Sequence, residues 1–405
     1  MPKVTVERLD HQMRGIGKID GKIVFIPKTL PEEIIDTEIV LEKKKFLEGK
    51  INNIIVKSKD RKESICPHFD YCGGCQLLHI NYLQGLKYKQ NKVCDIISKY
   101  TKLQILINDI VVSENHLFYR NKITLQVNNT IGYFKEKTNT IIPIDTCYIA
   151  DKKINTIYKI VQDNISVSNI NQIIIKSSNR TDESMAIFKT SGKIDECSII
   201  ENLKELVSSI YINDKLIFGK NKITEELLGS KFYISPTSFF QVNTEQAEKL
   251  YQIAIDYANI SKNDLVLDLY CGTGTIGILA SKYAKKVVGI ELNREAINDA
   301  NLNKELNNIS NIEFYAGDVG EILNRNNYKP DIVIVDPPRA GLDYLAVSEI
   351  IKIKPKRLVY VSCDLMTLAR DLERLSEHFN IDELTPVDMF PQTSHVETVV
   401  ALSRR

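Results

Sequence analysis

The hydrophobic pattern changes period as the chain proceeds. Up to residue 57 apolar and polar positions alternate, as in Val4-Thr-Val-Glu7, Lys22-Ile-Val-Phe-Ile26 and Thr37-Glu-Ile-Val-Leu-Glu42, and glycines at 15, 17, 21 and 49 interrupt the runs. Period two marks strands with one buried face, and short strands broken by glycine predict a small antiparallel, OB-like β-barrel over residues 1–57. From Gln76 to Tyr100 the apolar residues Leu77, Leu78, Leu83, Leu86, Val93, Ile96 and Ile97 recur near helical spacing with lysines between them. That spacing predicts an amphipathic helix, whose apolar face is available to pack on the C-terminal domain. Runs such as Lys122-Ile-Thr-Leu-Gln-Val127, Gln172-Ile-Ile-Ile-Lys176 and Met185-Ala-Ile-Phe-Lys189 make residues 58–235 a strand-rich central α+β domain. After Pro236 short apolar strands alternate with helical stretches: Asp264–Tyr270, Lys286–Glu291, Asp331–Asp336 and Arg357–Cys363. Such alternation over 236–405 predicts an α/β, doubly wound, mostly parallel sheet.

Composition narrows the class. The chain has 405 residues, 43% hydrophobic, enough for two or three cores. No run of eighteen apolar residues occurs and the first residues lack the apolar core of a signal peptide, so no membrane association and a cytoplasmic location are expected. In a reducing compartment the eight cysteines are expected to serve metal binding or catalysis rather than disulfides. The net charge of +1 decides nothing, but Lys3, Arg8, Arg14, Lys18, Lys22, Lys28, Lys43, Lys44, Lys45 and Lys50 crowd the barrel. That crowding fits a barrel tracking nucleic-acid phosphates, and equally a solvated β-domain.

Cys66-Pro-His-Phe-Asp-Tyr-Cys72-Gly-Gly-Cys75 brings three thiols into one tight turn, with Cys147 available from the central domain. Four thiolates suit tetrahedral zinc or a 4Fe-4S cluster, and the spacing does not choose between them.

Leu267-Asp-Leu-Tyr-Cys-Gly272-Thr-Gly274-Thr-Ile-Gly277 carries the spacing of a nucleotide-binding loop between a strand and a helix. It would serve a dinucleotide or another adenosine cofactor, and Glu291 at the end of the next strand could accept from ribose hydroxyls in either case. Asp336-Pro-Pro-Arg339 and Cys363 end two further strands of the same pattern. In open α/β sheets reactive groups gather at this carboxyl edge. Cys363 is therefore a candidate nucleophile, set against the common role of cysteine as a small core residue.

Taken in order, the four cysteines, Phe239-Phe-Gln-Val-Asn243, Asp268-Leu-Tyr-Cys-Gly-Thr-Gly274, Asp336-Pro-Pro-Arg339, Ser362-Cys363 and His395-Val-Glu397 resemble the RNA 5-methyluridine methyltransferases. The resemblance is to the iron-sulfur branch that carries a TRAM domain and acts on ribosomal RNA, and it covers nearly the whole chain. It implies a monomeric TRAM-containing enzyme that binds RNA and uses S-adenosylmethionine. Gln241, Tyr270, Thr275, Glu291, Asp318 and Asp336 would be cofactor positions, and Cys66, Cys72, Cys75 and Cys147 would hold a 4Fe-4S cluster rather than zinc. Cys363 would be the nucleophile and Glu397 the base that removes the C5 proton. The implied substrate is a uridine of large-subunit ribosomal RNA, with transfer RNA as the alternative. The family commonly continues from the nucleophile with Asn-Pro, whereas Asp364-Leu365 stands here, so the local turn is expected to differ.

The residue types suit that chemistry. Uracil C5 is too weak a nucleophile to take a methyl group unaided, and a soft thiolate adding at C6 pushes electron density to it. Release then needs a base for the C5 proton, and Asp336 could hold the uracil through N3–H. A stacked base cannot present C6, so the uridine must be unpaired or flipped, which gives the accessory domains and Tyr119-Arg120-Asn121-Lys122 an RNA-gripping task. An RNA cytosine-C5 methyltransferase usually carries a Pro-Cys pair, which is absent here. A non-catalytic iron-sulfur RNA-binding protein would show damage to the nucleophile, base or cofactor loop, and none is evident.

Overall fold

The computed structural model describes residues 1–101 and 103–405. The N-terminal sheet has six strands in the order Lys3–Thr5, Ile34–Glu42, Phe46–Val56, Lys22–Ile26, Gly15–Ile19, Arg8–Leu9. Its inward positions Val4, Val6, Val24, Ile26, Ile35 and Leu47 form one small core. The sheet curls until its first strand lies over Gly15–Ile19. At Gly17 a Cβ would lie 2.3 Å from the Val4 side chain and 2.7 Å from the Thr5 carbonyl, so only glycine permits the approach.

Much of the barrel's basic charge is internally paired. Arg14 bonds Asp10, Lys22 bonds Glu42 and Lys50 bonds Glu38. Lys43, Lys44 and Lys45 occupy the turn between the two longest strands with no acidic partner among the described residues. The barrel's uncompensated charge is therefore most concentrated at that tip.

A seven-stranded mixed sheet follows, and the helices Lys152–Asn164 and Glu196–Leu203 bury Ile154, Ile157, Tyr158, Val161, Ile199 and Leu203 in its core. The C-terminal sheet has eight strands in the order Ile312–Ala316, Lys286–Glu291, Leu265–Leu269, Ile332–Val335, Arg357–Ser362, Glu397–Arg404, Phe379–Val387, Leu106–Ile107. The first five run parallel, whereas Glu397–Arg404 is antiparallel to both its neighbours. Alternate residues feed two cores: Val266, Ile332 and Val359 face one, Leu267, Val333 and Leu358 the other. Helices cover both faces, which is why these strands read as unbroken apolar runs.

The helix expected from Gln76 begins at Tyr82 and runs to Thr101. Residues before it are held in turns, with Ile80 bridging Arg61, so their apolar side chains pack without helical geometry. The helix inserts Val93, Ile96 and Ile97 into the C-terminal core beside Leu365, Leu368 and Leu372. The short strand Leu106–Ile107 then completes the edge of that sheet.

Candidate active site

Register brings the chemistry together. The strands ending at Leu269, Val335 and Ser362 are parallel, so Tyr270, Asp336 and Cys363 emerge at one edge. Glu397–Arg404 returns antiparallel with Thr398 opposite Ser362. The ladder ends at that pair; Cys363 follows Ser362 out of its strand and Glu397 precedes Thr398, and both line one cavity, where the Glu397 charge acts on the thiol. Asp364 accounts for the altered turn after the cysteine. Its Oδ1 accepts from Thr367 N at 2.9 Å and Met366 N at 3.0 Å, capping the helix Leu365–Leu375.

The glycine loop is strained and braced. Tyr270 adopts φ +63°, unusual for an aromatic residue, and Gly274 adopts φ +81° where a Cβ would meet Phe314 at 2.5 Å. Asp268, fully buried beneath the loop, accepts from Gly277 N at 2.7 Å in the first turn of the helix Thr275–Ser281. Glu291 accepts from Gly272 N at 3.2 Å and from Asn293 N at 2.9 Å, so its carboxylate joins two loops. Asp318 caps the helix Val319–Arg325. The Gln241 carbonyl accepts from Asn121 Nδ2 at 3.0 Å.

Gln241, Tyr270, Thr275, Glu291, Asp318, Asp336, Cys363 and Glu397 all line one cavity of about 660 Å³. Six carboxyl groups line it, Glu291, Glu295, Asp299, Asp318, Asp336 and Glu397, against Arg339 as the one lysine or arginine among the lining residues. Asp299 is paired with Lys222, and burial raises Asp336 and Glu397, so the acidic character rests mainly on Glu291, Glu295 and Asp318, which suits a cationic ligand such as a sulfonium carrying an amino group better than a pyrophosphate. The donor set thus resolves the ambiguity of the glycine loop and fits S-adenosylmethionine.

Burial dominates the electrostatics. It raises Asp336 to about 7, and burial with the Asp336 charge raises Glu397 to about 8, while Arg339 pulls Glu397 back. Cys363 is pushed up to about 11 by burial, then by Glu397 and Asp336, against the opposing charge of Arg339. Cys363 is therefore held as a thiol near neutral pH. Burial also raises Asp268 to about 8, with Asp336 and Glu291 adding to it.

A carboxyl raised on folding binds its proton more tightly in the native state. Its stability contribution is complete at low pH and is lost as pH rises through about 8. Asp268→Asn has no proton to lose and keeps an oxygen for Gly277. Its melting temperature is expected to fall less with rising pH than that of the wild-type protein, as differential scanning calorimetry on both sides of this window would measure.

Cys66, Cys72, Cys75 and Cys147 line a second cavity of about 530 Å³, which shares Phe239 and Phe240 with the first. Cys147 is fixed by Asn155, which accepts from its N–H at 2.8 Å and donates to its carbonyl at 3.1 Å. Burial raises Cys66, Cys72 and Cys75, and the neighbouring cysteine charges raise them further. Among the described residues no three His, Cys, Asp or Glu side chains form a group able to hold a metal ion.

Other residues prove to be braces. Tyr119 and Asn121, expected to face RNA, are buried. Tyr119 OH donates to Pro391 O at 2.9 Å, and Asn121 supports Gln241. Lys89, on the apparently polar side of a helix, is buried against Asp388 and donates to Phe390 O at 3.0 Å. Its signal was the four-residue spacing Gly85, Lys89, Val93, Ile97, which places it on the buried stripe.

The comparisons agree with this architecture. A family model described as tRNA (uracil-5-)-methyltransferase matches residues 81–405, and one for the TRAM domain matches 3–51. An uncharacterized RNA methyltransferase of Clostridium acetobutylicum is 37% identical, over 99% of this chain and 96% of its own. One from Staphylococcus aureus is 36% identical, over 98% and 96%. Among solved structures, Pyrococcus abyssi tRNA (uracil-54, C5)-methyltransferase in complex with S-adenosyl-L-homocysteine superposes with a TM-score of 0.82 at 29% identity, covering 99% of both chains. With a cofactor loop, a strand-end cysteine and a glutamate in one cavity behind a TRAM domain, the chain belongs to the tRNA (uracil-5-)-methyltransferase family and is an RNA uracil-5 methyltransferase.

Proposed function

We propose that this chain methylates C5 of a uridine in large-subunit ribosomal RNA with S-adenosylmethionine, through a covalent adduct of Cys363. The observation that carries the reading is that Cys363 and Glu397, at the ends of the adjacent strands paired through Ser362 and Thr398, line one acid-rich cavity. S-adenosylmethionine would be held by Gln241, Tyr270, Thr275, Glu291, Asp318 and Asp336, and supplies an electrophilic methyl group when bound. The Cys363 thiolate adds to uracil C6, and the electron pair of the C5–C6 double bond becomes available at C5. Once C5 carries the methyl group, Glu397 takes the C5 proton, the double bond re-forms and the thiolate leaves. Asp336 accepts from uracil N3–H and fixes the ring. Arg339, the cation whose charge lowers both Cys363 and Glu397, favours the ionised form of each.

The ribosomal target rests on the resemblance of the four-cysteine set; the N-terminal barrel does not discriminate, since the match to the Pyrococcus abyssi transfer RNA enzyme covers it too. A transfer RNA uridine is the second reading, favoured by the Pyrococcus abyssi relative, whose name gives transfer RNA as its substrate. Incubation with methyl-labelled cofactor and separate RNA pools, followed by digestion to nucleosides, tests both. Label in 5-methyluridine from ribosomal RNA is expected. Label from transfer RNA alone would favour the second reading, and label in any other nucleoside would overturn uridine C5 as the target atom.

The four cysteines are assigned to a 4Fe-4S cluster. Four half-buried thiols lining one cavity would repel each other if ionised, and a cationic cluster offsets that repulsion. The cluster would tie the Cys66–Cys75 turn to the Cys147 segment. Anaerobic protein is expected to contain about four iron and four sulfide per chain, and Cys147→Ser to lose iron together with thermal stability. Stoichiometric zinc without iron would refute the assignment.

A further inference from the structure

The segment that delivers Glu397 is a strap, Met389–His395, with no helix or strand of its own. Its conformation is imposed by distant residues. Asn243 Nδ2 donates to Met389 O at 3.2 Å, Lys89 to Phe390 O at 3.0 Å, Tyr119 to Pro391 O at 2.9 Å, and Lys92 to Ser394 O at 2.8 Å. The backbone N–H groups of Gln76 and Leu77 both donate to Gln392 O, at 2.9 and 3.0 Å. The strap is fully specified only when these other parts of the chain are in place.

One side chain joins it to the cysteine turn. Gln76, directly after Cys75, donates from Nε2 to Gly73 O at 3.1 Å, inside the turn between Cys72 and Cys75. Its Oε1 accepts from Ser394 N at 3.2 Å, just before His395 and Glu397. A single amide thus spans the cysteine turn and the strap, using both its donor and its acceptor. Removing it frees the Ser394 N–H and cuts the side-chain link, while the backbone bonds from Gln76 and Leu77 to Gln392 O remain and the cavity's own side chains are untouched.

We propose that Gln76 is a positioning residue for the release step, holding Ser394 N and with it the placement of Glu397. This rests on Glu397 being the base. A displaced base slows proton removal more than it slows adduct formation, because Cys363 sits on a different strand held by the sheet. A slowed release step has a kinetic signature: adduct accumulates, and kcat and KM for RNA fall together, leaving kcat/KM nearly level.

The test compares Gln76→Leu, Gln76→Glu and Glu397→Gln with wild type, following RNA-linked protein on denaturing gels and turnover of 5-methyluridine. Gln76→Leu is expected to lower kcat about tenfold or more, with adduct accumulating and KM falling in parallel so that kcat/KM changes little. Gln76→Glu keeps the acceptor for Ser394 N and is expected to restore most of the release rate, which a general folding defect would not allow. Wild-type release in Gln76→Leu, or a change in KM alone, overturns the proposal while Glu397→Gln still traps adduct. If Gln76→Leu does not fold, release in Gln76→Glu decides: release near wild type supports the link to Ser394, and release as slow as in Glu397→Gln overturns it. Normal release in Glu397→Gln overturns the base assignment itself.

Discussion

Cys363→Ala is expected to reduce 5-methyluridine formation about a thousandfold or more, since no second group can take over a nucleophile's role. The cofactor should still bind, because Asp268, Glu291 and the glycine loop belong to strands and helices that do not depend on the thiol. Isothermal titration with S-adenosyl-L-homocysteine, beside a turnover assay, separates the two effects. Retained turnover would remove Cys363 from the chemistry. Lost cofactor binding would make it a structural cysteine of the strand end.

Glu397→Gln is expected to lower turnover by about a hundredfold to ten-thousandfold, the usual contribution of a general base. Its distinguishing result is the RNA that remains attached. Glutamine has nearly the same size, and at this buried position it replaces a carboxyl already raised to about 8, so packing should change little. Addition at C6 does not require the C5 proton to leave, whereas release does. Covalent protein–RNA complex should therefore build up in Glu397→Gln and be absent in Cys363→Ala. The wild-type enzyme adds a pH signature of defined sign. Glu397 accepts a proton only when ionised, and Cys363 attacks only as thiolate, so turnover should climb with pH through about 8 and keep the slope expected from a thiol raised to about 11.

Much of this site was legible in the residues because its parts are local. The alternating positions of residues 1–57 could bury one face only by curling, and Val4, Val24 and Ile35 do so. The apolar runs after Pro236 were too short and too continuous for half-exposed strands, and they form a sheet covered on both sides. The glycine loop carried its own conformational demand at Gly274.

What remained hidden depends on long-range pairing. No local signal brings Glu397 and Cys363 to one cavity, because that juxtaposition comes from the register of an antiparallel strand after a connection through Phe379–Val387. Leu106–Ile107 is too short to be seen as a strand until the sheet edge receives it. Polar residues misled in two places and hid a third: Asn121, expected to grip RNA, supports Gln241; several barrel lysines and arginines are paired with acids; and Lys89, one of the lysines between the helix's apolar positions, is buried on Asp388. The pattern around Cys363 carries no sign that burial, and after it the Glu397 and Asp336 charges, suppress its ionisation. In each case the side chain's neighbours come from elsewhere in the chain, and pattern alone carries no record of them.

The central claim, covalent catalysis by Cys363 on uracil C6, meets its most direct test in the trapped complex of Glu397→Gln with RNA and S-adenosylmethionine. After nuclease and protease digestion, mass spectrometry of the peptide containing Cys363 is expected to find a methylated uridine nucleotide attached to that residue. Absence of any adduct, or its attachment to Cys271 or another cysteine, would contradict the account.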